Sequence, residues 1–202
     1  MKSERALFET EFLHRFSSRQ FFIPLGGVLI AGVLSGSVAA VLLEVFESQA
    51  VFPLFFSGIP QTEMGFLPCF SSILLNLLIG LIILFLLGVT AFGTFGVPVF
   101  LFCKGVSLAV GAISFLVKDD LYGLWRCTLS YTPAAAAGCF LLLLFAVRAL
   151  LFSKGFTRAG LSPSQESMDF HFYFKDFMSF LCLAVIISAV GAFLALLCER
   201  IL

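Results

Sequence analysis

The sequence predicts an all-α protein, a polytopic transmembrane helical bundle of about five spanning helices, and three observations predict it. First, 60% of its 202 residues are hydrophobic and 12% are charged, whereas a soluble domain carries about 45–50% apolar and about 25% charged residues. A sphere of this size cannot hide that much apolar surface from water, so lipid has to cover it. Second, the apolar residues run on in stretches of the length that crosses the hydrocarbon core as helix, roughly 20 residues for about 30 Å. Third, Gly, Pro and clustered charges separate those stretches, where a chain reversing between spans needs them.

Residues 1–20 alternate Lys2, Arg5, Arg15 and Arg19, and their acidic neighbours, with Leu7, Phe8, Phe12, Leu13 and Phe16. This segment is read as a cytoplasmic amphipathic stretch. Two forms of it stay open, a short helix on the membrane surface and a solvated terminus. The first span is expected at about 21–43. It is too long for a signal-peptide core, and no small-residue cleavage site follows it, so it is read as retained. Gly32 and Gly36, extended by Ala40, form a small-xxx-small stripe that lets a second backbone approach closely where lipid provides no hydrophobic drive. Such a stripe is also compatible with a homo-oligomer.

Residues 44–68 contain no Lys or Arg and carry Phe46, Phe52, Phe55 and Phe56 with Pro53 and Pro60. An interfacial lipid-facing loop and a partner-binding surface both fit this composition. From Ile73 to Val117 a single charge interrupts 45 residues, Lys104. One helix of that length far exceeds a bilayer, so the stretch must fold back. Gly88, Gly93, Gly96 and Pro98 mark the expected Gly/Pro break, with spans at about 69–87 and 93–117. Lys118, Asp119, Asp120 and Tyr122–Trp125 are read as a short loop with interfacial aromatics. A fourth span at about 125–152 carries Pro133 in its first turns. Polar residues 153–176 lead to a fifth span at about 177–198, with Ala184, Ser188 and Ala192 as a second small-residue stripe. Residues 199–202 are left as a short extracytoplasmic tail.

The basic residues give the orientation. Arg148, Lys154, Arg158 and Lys175 at the end of the fourth span and the loop after it match the four of the N-terminus, while the 44–68 loop has none. The positive-inside rule then puts the N-terminus in the cytoplasm and, after five spans, the C-terminus outside. Zero net charge removes any global basic field, so no nucleic-acid partner is expected. Six cysteines lack any CxxC pairing and read as small buried hydrophobes, with neither metal nor other cofactor expected.

Chemistry inside a membrane is sought first at ionisable groups, because their burial there is costly. Lys104 is the clear case. No acid lies in a neighbouring span, so its expected acceptors are backbone carbonyls freed near Pro98 and the glycines. Structural, partner-contact and substrate-binding roles are all open to it. Asn76, the strongly polar amide of the second span, is suited to a hydrogen bond across helices. Ser107, Ser114, Ser130 and Thr132 are expected to bond carbonyls one turn earlier. His14 and His171 lie in polar flanks, and GxSxG, HExxH, P-loop and paired-acid patterns are missing, so no enzyme is expected.

The residue-level pattern from Cys69 to Phe152 places Asn76, Gly88 and Gly93, Pro98, the turn Phe102-Cys103-Lys104-Gly105, and a span opening with Thr132-Pro133 in that order. With the flanking spans, this resembles the stage II sporulation protein M family of bacterial membrane proteins. The Lys-Gly pair after the Gly/Pro segment is its most specific element. The resemblance implies an anchor in the bacterial cell membrane that localises peptidoglycan hydrolases at the septum during engulfment, with stage II sporulation proteins D and P as partners. Two departures stand out. Many members carry a His-Gly pair and an acid after the fourth-span proline, where this chain has Ala134-Ala135-Ala136-Ala137-Gly138. The proline after Gly93 is also displaced. The alternative is a membrane subunit of a transporter or channel with a site near Lys104.

Overall fold

The structure is a computed structural model describing the backbone of residues 21–40, 65–126, 128, 131–161 and 170–201, and the side chains of these outside 114–126, 156–161 and 199–201. The N-terminal segment, nearly all of the 44–68 loop and the tail residue Leu202 lie outside the described residues. Five helices are present among the described residues: α1 (Phe21–Ala40), α2 (Phe66–Val89), α3 (Gly93–Arg126), α4 (Thr132–Leu161) and α5 (Phe170–Ile201). All five contain runs long and apolar enough to cross a membrane. The protein is an all-α bundle of membrane-spanning helices.

α2 is the centre, packing against α3, α4 and α5. Its inward stripe is Cys69, Ile73, Leu77, Gly80, Leu81, Leu84 and Gly88, spaced three and four apart as one helix face requires. Gly65, at φ 94°, takes the left-handed backbone that opens the helix, and Pro68 falls in the first turn, where a missing N–H costs nothing. The outward faces are apolar as well. Leu75, Leu86, Val99, Phe140, Ile186 and Phe193 are all exposed, which suits a hydrocarbon surround and not water.

The α2–α3 turn differs from the sequence reading in its cause. The chain reverses at Thr90–Phe92; the Thr90 hydroxyl and amide both donate to the Leu87 carbonyl, at 2.9 and 3.2 Å. Gly88, Gly93, Gly96 and Pro98 all lie within helix. At two of them, glycine is needed for closeness. A Cβ on Gly88 would strike the Tyr173 hydroxyl, and one on Gly93 would strike the Leu87 carbonyl and the Ser153 side chain.

Two expected loops are also helical. α3 continues through Lys118–Trp125 to Arg126, since nothing there but Gly123 opposes helix and charges are tolerated once the chain has left hydrocarbon. α4 runs on to Leu161 and α5 starts at Phe170, so much of the expected polar loop extends the two helices.

The start of α1, the α2–α3 turn, the later turns of α4 and the start of α5 share one end of the bundle. There the Lys154 Nζ lies 3.9 Å from the Phe21 ring centroid. The Ser153 hydroxyl donates to the Thr90 carbonyl at 2.9 Å, and Arg148 sits 3.9 Å from Asp176 across half-exposed surface. Phe85, Phe145, Phe152, Tyr173 and Phe177 stack and tilt against one another just inside, with Tyr173 and Phe152 at 4.3 Å between centroids.

A buried lysine and amide in the bundle interior

Lys104 stands eleven residues into α3, about 16 Å from its start at about 1.5 Å per residue. That depth is near the middle of the expected hydrocarbon. Only 2% of the residue is exposed. Its Nζ donates to the Asn76 Oδ1 at 2.6 Å, so the acceptor from a neighbouring span is an amide. The sequence reading looked for acceptors among freed backbone carbonyls; α2 provides one that it did not include. Asn76 makes the cross-helix hydrogen bond expected of it.

Gly105 faces the other way. A Cβ there would meet the Leu29 carbonyl, the Val33 nitrogen and the Gly32 carbonyl carbon of α1. Reciprocally, one on Gly32 would strike the Phe102 carbonyl, and one on Gly36 would come within 2.7 Å of the Val106 Cα. α1 and α3 therefore meet backbone to backbone through Gly32, Gly36 and Gly105. Pro98, in the second turn of α3, takes the i+4 donor from the Thr94 carbonyl, and it does not reach Lys104. Pro133 is the second residue of α4, where it constrains φ without removing a helical hydrogen bond.

Beside Lys104 and Asn76 lies a cavity of about 30 Å³. Tyr131, just before α4, and Cys139 of α4 line it together with Ala134, Ala135 and Gly138. The Ala134–Gly138 run thus forms part of this wall. Sequence reasoning missed Tyr131 and Cys139. Their one signal is that small residues, which set no side chain between them and Lys104, separate the two along α4.

Other polar groups are less organised. The Ser107 hydroxyl is buried without a hydrogen-bond partner, against the expectation of a bond one turn back. Ser188 does make that bond, to the Ala184 carbonyl at 2.7 Å, and Ala184, Ser188 and Ala192 are fully buried as the small face of α5. The side chains of Ser114 and Ser130 lie outside the described residues. Cys69 and Cys198 are buried, Cys103 and Cys139 are half-buried, and Cys182 is exposed. No cluster of three or more His, Cys, Asp or Glu able to hold a metal occurs among the described residues.

Protein families, curated proteins and solved structures were all compared with the chain, and none matches it.

Proposed function

We propose that this chain is an integral membrane scaffold resembling stage II sporulation protein M, which localises peptidoglycan hydrolases at the septal membrane during engulfment in endospore formation. The observation that supports this reading is the buried Lys104 held across helices by the Asn76 amide. Lys104 is held by Asn76 at 2.6 Å, and the space beside it is small, about 30 Å³. The Lys104-Gly105 pair, central to the resemblance, sits where α3 joins both α1 and α2, which suits a part that holds helices in place. Arg148, Lys154 and Lys175 gather at the end that also holds the start of α1. The positive-inside rule makes that end cytoplasmic and leaves the far end, including the 44–68 loop, to meet stage II sporulation proteins D and P outside.

The test is affinity capture of the intact protein from sporulating cells. Recovery of peptidoglycan hydrolases is the expected result. Their absence, together with solute flux through the protein reconstituted in liposomes, would overturn the scaffold reading. It would favour a transporter or channel subunit instead, whose specific support is a cavity beside a buried lysine at mid-helix depth, where transporters place their sites.

A further inference from the structure

The chemistry of the cavity beside Lys104 points to a ligand. An atom 2.6 Å from the lysine nitrogen has to be the amide oxygen of Asn76, because the ammonium has no acceptor lone pair. The amide nitrogen then keeps two N–H donors on a side chain that lines the cavity. Tyr131 and Cys139 line the cavity as well, and the remaining lining is aliphatic or small, without a carboxylate. The Asn76 amide donors and the Lys104 charge thus border a mostly apolar space in low-dielectric surroundings, where attraction to an anion is far stronger than in water.

Size narrows the class. A single water needs about 10–15 Å³ measured this way, and the cavity offers about 30 Å³. A monatomic anion fits within that volume, while a whole carboxylate-bearing metabolite or lipid headgroup exceeds it. We propose that the cavity lined by Lys104, Asn76, Tyr131 and Cys139 is a halide site inside the membrane-spanning bundle, holding chloride in ordinary media. The site stands apart from the scaffold reading: a bound halide would fasten α2, α3 and α4 whether the protein holds partners or conducts solutes.

The experiment is thermal unfolding of the purified full-length protein in lipid nanodiscs. Sodium chloride and sodium bromide are titrated against sodium gluconate at constant ionic strength. The midpoint is expected to rise with chloride and with bromide and to saturate, with little response to gluconate. Asn76→Asp places a carboxylate against Lys104 and supplants the anion, so it should fold while needing at least tenfold more chloride for the same rise. Lys104→Met should lose the response altogether. Should Lys104→Met fail to fold, Asn76→Asp remains decisive, since it keeps an acceptor for the lysine. Identical midpoints in chloride and gluconate for the unmodified protein would sink the proposal and leave water as the occupant. A chloride response unchanged in Asn76→Asp would sink it too. Neither result bears on hydrolase capture.

Discussion

Lys104 and Gly105 are consecutive on α3 and serve opposite interfaces. The lysine turns inward to the Asn76 amide of α2 at 2.6 Å, and the glycine lets the backbone of α1 pass at Leu29 and Val33. A helix turns about 100° per residue, so one dipeptide can address two neighbours. Substitutions at the two positions should therefore fail in different ways.

At Gly105 the fault should be steric. Gly105→Leu, or Gly32→Val on the facing helix, drives a side chain into backbone and should cost about 1–3 kcal/mol as overpacking. The expected signature is a lower unfolding midpoint in detergent together with loss of a disulfide engineered between α1 and α3. Retention of that cross-link would mean the helices can separate without harm.

The effect at Asn76 should be polar. Asn76→Leu removes the acceptor from a buried amine and should destabilise by roughly 1–2 kcal/mol. Combined with Lys104→Met, much of that loss should return, giving a coupling energy of at least about 0.5 kcal/mol in a double-mutant cycle. Additive losses would show that the contact carries little.

Tyr173 separates packing from hydrogen bonding. Its ring stacks on Phe85 at 5.1 Å between centroids, and its hydroxyl donates to the Phe85 carbonyl at 3.3 Å. Tyr173→Phe should cost no more than about 1 kcal/mol, as the bond is long and neutral. Tyr173→Ala should cost about 3–5 kcal/mol, as aromatic truncations in packed cores do. Equal effects would contradict the packing account.

By contrast, Arg148→Ala should be nearly silent. Its partner Asp176 is 3.9 Å away and both side chains are around two-fifths exposed, a setting in which ion pairs contribute about 0–1 kcal/mol. A larger fall would assign Arg148 a second partner.

The shared end of the bundle gives a topology prediction. Single cysteines introduced at Phe92 and at His171, in a background lacking the native cysteines, should be labelled from the same face of the membrane, the cytoplasmic one. Labelling from opposite faces would break the helix order described above.

Much of this architecture was legible in the chain. Composition and run length dictated five apolar helices, because hydrocarbon leaves no other way to satisfy a spanning backbone of this kind. The Gly32–Gly36 stripe announced a close helix contact, and Asn76 announced a cross-helix hydrogen bond. Helix ends were less legible. Charge and aromatic clusters at Lys118–Trp125 resemble a loop in composition, yet helix continues there, since leaving the membrane does not by itself end a helix.

The sequence alone determined which segments enter the bilayer and that one lysine enters with them, since both follow from the cost of exposing apolar or charged groups to the wrong solvent. Tertiary structure decided what that lysine meets. Asn76 lies 28 residues from Lys104, and Cys139 reaches the same cavity from α4. Their meeting depends on how three helices rotate and slide against one another. Those settings come from the summed packing of many glycine and leucine contacts, and no local pattern in the chain records them.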